Sequence, residues 1–469
     1  MIFSSLLFLF SFLPFILIGN YVWRNIKWQN TLLFIASLYF YAWGEREKVF
    51  VMLASILLNF FIGKWIENKE GRSKVVALIV GIVVNLGVLV YFKYSQFIVE
   101  NINQLLSVLS IPIIDGIKYE RLPLGISFYT FQSISYLVDV YRKEVKAQRN
   151  FLNLGLYVAL FPQLVAGPIV RYNEIAEQLL QRTQNLIKFN EGIRRFVIGL
   201  GKKMLIANPM AYIADEIYML PVNDISTPMA WLAVLAYSLQ IYYDFSGYSD
   251  MAIGLGKMFG FDIAENFNFP YISKSIREFW TRWHISLSIW FRDYLYIPLG
   301  GSRGSTLLTM RNLIIVFFIT GLWHGASWSF VIWGLFHGIF MLIERAGFDK
   351  ILKRMPAIIQ HMYMLLIVVF GWVLFRIENW TDALQIQKTM LGMNLVESQY
   401  EISYFMNSYY WLTLFAALVL CIPMHKLLQR LQFYPWTKYW ESALIILVFI
   451  FSVVEMVSNT YSPFIYFRF

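Results

Sequence analysis

The stretch RNLIIVFFITGLWHGASWSFVIWGLFHGIFMLIER, Arg311 to Arg345, decides the fold class. Between Arg311 and Glu344 run 32 residues without an Asp, Glu, Lys or Arg. As one helix at about 1.5 Å per residue they would span about 48 Å, well over the roughly 30 Å of a bilayer core. They are somewhat short for two full spans plus a turn. A helix interrupted near Gly321 and Gly325, or a steeply tilted one, fits the length better. His324 sits at that interruption, between Trp323 and Gly325. A titratable side chain at membrane depth is costly, and so marks a candidate functional site.

Composition carries the same reading to the whole chain. Of 469 residues, 58% are hydrophobic and 14% charged, against about 25% charged in soluble domains. This is an all-α integral membrane protein. Uncharged or nearly uncharged runs at 1–23, 29–44, 49–63, 75–92, 122–138, 151–170, 225–243, 312–343, 362–375, 402–424 and 442–454 predict about eleven transmembrane helices, some tilted or re-entrant. With neither an internal repeat nor a low-complexity linker, residues 1–469 read as one membrane domain. Basic clusters at Arg24–Lys27, Lys64–Lys74 and Arg142–Arg149 fall on one side if the first span is retained with its N-terminus outside. The net charge of +10 reads as cytoplasmic loops and contacts with lipid headgroups, with no nucleic-acid motif. The single Cys421 excludes an intramolecular disulfide and any multi-Cys metal site.

Four stretches carry further signals. FPQLVAGPIVRY, within 151–170, contains Pro162, Gly167 and Pro168, which break a helix; a kink before a loop and a broken backbone lining a cavity both fit. In YYDFSGYSDMAIGLGKMFG, Asp244 and Asp250 flank a Ser-Gly-Tyr-Ser turn, as helix caps or as acids facing a wet cavity. Ala252, Gly256 and Gly260 recur at every fourth residue, a face for close helix approach. Residues 274–299 place Ile276, Phe279, Trp280, Trp283, Leu287, Trp290 and Tyr294 on one stripe, with Arg277, Thr281, His284 and Ser288 opposite, predicting an interfacial amphipathic helix. Residues 186–207 are similarly basic and amphipathic. Arg194, Arg195, Lys202 and Lys203, with Arg277 and Arg282, fit either a mouth for an anionic donor or anchors to lipid.

The five histidines are 284, 324, 337, 361 and 425. His324 and His337 are 13 apart, but no second pair matches them for a stacked-haem site, and no three ligands cluster for zinc. No metal or bound cofactor is expected. What remains is one histidine in a wet cavity as general base.

W-H-G in a hydrophobic segment, preceded by REFWTRWHISLSIWFRDYLYIPLGGSR and YDFSGYSDMAIGLGKMFGF, closely resembles the membrane-bound O-acyltransferase (MBOAT) superfamily. The similarity is to the branch of bacterial alginate and peptidoglycan O-acetyltransferase membrane subunits and the teichoic-acid D-alanylation membrane protein. FPQLVAGPIVR and the C-terminal SPFIYFRF also look like that branch. The resemblance implies a funnel-and-tunnel fold, a catalytic His324, and His284 as the second family histidine lining the cavity. Trp323, Asp244, Arg277 and Arg282 are expected to bind substrate. The implied function moves an acetyl group from a cytoplasmic thioester, acetyl-CoA or an acyl carrier protein, to hydroxyls of an extracytoplasmic glycan. An extracytoplasmic partner protein would relay it, since this chain has no Ser-His-Asp motif of its own. The implied location is the bacterial cytoplasmic (inner) membrane. A polytopic transporter or lipid-linked glycan flippase is the alternative, against which stands the absence of inverted repeats.

Overall fold

The computed structural model describes residues 1–393, 398–424 and 437–458. His425 and the SPFIYFRF motif lie outside the described residues. The described chain is helical, without β-strand, and divides into two compact units: residues 1–192 with 255–264, and residues 193–254 with 265–469. Among the described residues six helices are long and apolar enough to cross a membrane: Lys48–Glu67, Gly71–Val108, Thr306–His324, Trp328–Leu352, Ala357–Arg376 and Tyr439–Ser458.

The first unit holds α1 (Leu13–Val22), α2 (Ile26–Glu45), α3 (Lys48–Glu67), α4 (Gly71–Leu89), α5 (Ser95–Val108), α6 (Ile126–Tyr141), α7 (Phe151–Ala159), α8 (Phe161–Leu164) and α9 (Tyr172–Leu180). Asn25 starts α2 by accepting from the amides of Lys27 and Trp28. A π-turn at Val90–Tyr94 joins α4 to α5 in the long apolar segment. At the centre lies α6, buried at almost every position. Side chains at Gly63 and Gly81 would collide with Tyr136 and Leu137, so these glycines let α3 and α4 close on α6.

The run 151–170 is a broken segment, as its prolines and Gly167 predict. Leu160 leaves helical geometry, and Pro162 opens α8, where a missing amide costs nothing. Residues 153–170 are buried throughout, so protein covers the irregular backbone. Phe161 is clasped by Phe3, Phe8, Phe12 and Phe40, with ring centroids 5.4–6.4 Å away.

The second unit contains most of α10 (Leu186–Gly201), then α11 (Asn208–Tyr218) and α12 (Thr227–Met258). Next come α13 (Ile276–Arg282), α14 (Ile285–Phe291), α15 (Thr306–His324), α16 (Trp328–Ile343), α17 (Asp349–Leu352), α18 (Ala357–Arg376), α19 (Trp380–Met390), α20 (Ile402–Phe405) and α21 (Ser408–Leu420). The last described helix is α22 (Thr437–Ser458).

Three expectations change here. First, 312–343 is neither one interrupted span nor a tilted one. It lies in an antiparallel pair, α15 and α16, with the break at 325–327. Backbone-to-backbone contact makes room for it: a side chain on Gly321 would strike the Phe330 carbonyl, and one on Gly334 the Phe317 carbonyl.

Second, α12 runs unbroken through Asp244 and Asp250, so there is no Ser-Gly-Tyr-Ser turn and neither acid caps a helix. The close helix contact is at Gly247, whose Cβ would meet the Gly199 carbonyl of α10. Gly260 lies beyond the helix with φ +87° and closes its C-terminal turn. Third, 274–299 is not one amphipathic helix. It breaks between α13 and α14, and His284 occupies the break.

Candidate active site

α13 begins at a double cap. Ser275 Oγ accepts from the Glu278 amide, and the buried Glu344 carboxylate accepts from the amides of Ile276 and Arg277 at 2.6 and 3.0 Å. An anion at a helix start is favoured by the dipole as well as by the orphan donors. Trp283 ends the helix in extended geometry. His284 then takes φ 43°, ψ 56°, a left-handed conformation that a non-glycine residue adopts at a cost of about 1–2 kcal/mol. The conformation turns His284 inward. Its side chain is fully buried, not on a polar face shared with exposed Arg277 and Thr281.

His284 supplies no side-chain cap to α14. Asn266, from the loop after α12, does so instead. Its carbonyl accepts from the Ile285 amide at 3.0 Å, and its Oδ1 accepts from the Ser286 amide at 3.2 Å and the Ser286 hydroxyl at 2.9 Å. The same Oδ1 lies 3.1 Å from His284 Nδ1. Burial disfavours the imidazolium and pushes the His284 pKa down to about 3, so its ring is neutral.

His324 ends α15, followed by extended Gly325. The sequence places this ring in a wet cavity; the structure walls it with aromatic rings. It is 2% exposed, with Trp323, Trp333 and Phe375 centroids at 4.9, 4.9 and 5.1 Å. Trp323 also lies 6.0 Å from His284, so one indole is shared by the two histidines. Trp333 is shared in turn by His337, at 5.3 Å. His337 is buried on α16 and stacks edge-on to Trp280. His361 is apart from this cluster, its Nδ1 2.9 Å from the Ser273 carbonyl.

The basic residues are largely matched by carboxylates. Lys203 and Asp244 form an ion pair at 2.6 Å, with side chains 3% and 1% exposed. Asp250 receives both Arg195 and Lys202, and Arg195 also reaches Glu265. A π-turn at Lys202–Ala207 interrupts the α-helical register just where these lysines meet α12. Arg194 pairs with Glu441 at 2.7 Å, and Arg282 with Glu278 at 2.9 Å. Arg277 is exposed and, among the described residues, makes no ion pair.

Sequence reasoning singled out His284, His324 and Trp323, which the fold brings together, and Asp244, which it buries against Lys203. It missed Asn266, Trp333 and Phe375. Asn266 carries no periodic signal because it lies in a loop. The two aromatic residues read as ordinary apolar helix faces.

The family model described as MBOAT, membrane-bound O-acyltransferase family, matches residues 35–377. The chain is 41% identical to a probable alginate O-acetylase of Pseudomonas putida, with both chains covered in full. It is 46% identical to the corresponding protein of Pseudomonas aeruginosa over 84% of this chain and 75% of the relative. A peptidoglycan O-acetyltransferase of Helicobacter pylori is 36% identical, over 87% of this chain and 83% of its own.

Proposed function

The chain belongs to the membrane-bound O-acyltransferase family and is a multi-pass membrane O-acyltransferase, and on that premise we propose that it transfers acetyl groups from a cytoplasmic thioester to glycan hydroxyls outside the cytoplasmic membrane. Acetyl-CoA or an acyl carrier protein is the donor. Alginate and peptidoglycan, named for the relatives, define the acceptor class. A separate extracytoplasmic protein receives or relays the acetyl group.

In this reading His324 is the general base. The acceptor hydroxyl oxygen attacks the thioester carbonyl carbon while its proton passes to the imidazole. The tetrahedral intermediate then expels the thiolate, which takes the proton back from the imidazolium. The products are an O-acetyl ester and a free thiol, and the histidine is neutral again. His284 lines the same site and orients a reacting group, and Trp323 forms the wall between the two rings. Arg277 and Arg282 face the anionic end of the donor.

One observation carries the reading: two buried histidines, each at a helix end, sit within ring contact of a single tryptophan. His324→Gln tests it. Glutamine retains bulk and hydrogen bonding but cannot accept the proton, so acetyl transfer should fall by roughly 10²–10⁴. Glycan acetyl content in cells, normalised to the amount of variant in the membrane, is the measurement. A His324→Gln protein with wild-type acetylation would end the general-base role.

A further inference from the structure

The hydrogen bonds around Asn266 fix more than the loop that carries it. The amide of Ser286 is the second N–H of α14, where no intrahelical carbonyl is available to it. A backbone N–H can only donate. The Asn266 atom 3.2 Å from it is therefore the carbonyl oxygen, not the amide nitrogen. The Ser286 hydroxyl at 2.9 Å donates to the same oxygen. The amide nitrogen, Nδ2, points the other way and donates to Ser249 Oγ at 3.2 Å. Asn266 is fully buried, so bulk water does not compete for these sites.

That assignment passes to the histidine. His284 Nδ1 lies 3.1 Å from the same oxygen and 3.5 Å from Ser286 Oγ, which itself donates to that oxygen. A carbonyl oxygen can only accept, so Nδ1 carries the hydrogen. In a neutral imidazole the other nitrogen then bears a lone pair. Nε2 is buried and has no hydrogen-bond partner among the described residues. Phe245, 4.7 Å away and edge-on, and Trp323 flank the ring, which restricts its rotation.

We propose that Asn266 is a positioning residue of the acyl-transfer site: its side-chain oxygen holds His284 as the Nδ1–H tautomer, so that Nε2 presents a lone pair to an O–H or N–H donor of the substrate. The proposal rests on the placement of His284 in the active site given above. The chain of constraint runs from a helix terminus, through an asparagine 18 residues earlier, to the nitrogen that meets substrate. The left-handed backbone at residue 284 belongs to the same device, because it ends one helix and starts another with the ring turned towards Asn266.

The test uses the full-length protein in lipid nanodiscs with 15N-labelled histidine, a spectrum of only five residues. His284→Asn identifies the resonances. The wild type should show His284 with hydrogen on Nδ1 and a bare Nε2. Asn266→Leu should abolish that tautomer preference and lower acetyl transfer by about 10²-fold or more, the range seen when an orienting partner or the correct tautomer is lost. Asn266→Asp keeps the acceptor oxygen, so it should keep the Nδ1–H form and recover most of the transfer. The spectra of the other histidines report that each variant is folded. An Nε2–H tautomer in the wild type overturns the proposal. So does a folded Asn266→Leu protein with unchanged tautomer and activity. The assigned tautomer together with an active His284→Asn enzyme would instead remove His284 from catalysis, and leave Asn266's hold on its tautomer standing.

Discussion

Replacing Lys203 with Met removes the cation from the most deeply buried ion pair described here. Lys203 and Asp244 are 3% and 1% exposed and 2.6 Å apart. At an effective dielectric constant of about 20, two unit charges at that distance attract by about 6 kcal/mol. Most of this offsets the cost of taking both ions out of water. The sign of the mutational effect therefore depends on which partner is left behind. Lys203→Met leaves a buried carboxylate without its cationic partner, which costs about 3–5 kcal/mol. Against a total stability of about 5–15 kcal/mol, that is about a fifth of the total or more. Lys203→Met/Asp244→Leu removes both charges and should recover most of the loss, since an apolar pair of similar volume is commonly neutral or better. The assay is the amount of monodisperse protein left after heating detergent-extracted membranes through a temperature series. Lys203→Met should melt well below the wild type, and the double variant close to it. A Lys203→Met protein that melts normally while its donor KM rises would refute this reasoning, and would assign Asp244 and Lys203 to substrate.

Two other perturbations separate packing from charge. Gly321→Val drives a side chain into the Phe330 carbonyl, so the α15–α16 pair must open; little folded protein should reach the membrane, read by immunoblot and size-exclusion profile. Arg277→Glu, at an exposed arginine without an ion pair among the described residues, should raise the apparent donor KM more at low salt than at high, because such attraction is screened within about 10 Å at 0.1 M. Arg195→Glu should chiefly lower protein yield, since it sets a third carboxylate beside Asp250 and Glu265.

The sequence displays what is local and hides what is shared between distant segments. The uncharged run at 312–343 shows membrane character and a break beside His324, because hydropathy and glycine act through near neighbours. It does not show two packed helices, because their contact depends on Gly321 and Gly334 losing a side chain opposite backbone carbonyls. Arg277, Thr281, His284 and Ser288 have perfect helical spacing, yet the helix ends before His284. The agent is Asn266, whose oxygens satisfy the start of α14 from another loop. Likewise Arg195, Lys202 and Lys203 read as a donor mouth or as lipid anchors, since their partners Asp244, Asp250 and Glu265 lie some 40–70 residues away in the chain. His284 and His324 stand out by their motifs; Asn266, which bonds the His284 ring, leaves no pattern.

If His324 is the general base proposed above, its aromatic wall bears on how economically an acyl donor is used. A thioester beside an imidazole is open to two nucleophiles, the intended hydroxyl and water, and cytoplasmic water is about 55 M. Trp323, Trp333 and Phe375 leave the ring 2% exposed, which keeps bulk water from the base proposed above. Solvent exclusion of this kind suppresses side reactions such as hydrolysis of activated intermediates. With His324 as the base proposed above, the rings would favour an acceptor hydroxyl over water as the nucleophile. Under the proposed mechanism, trimming the wall should raise thioester hydrolysis relative to acyl transfer.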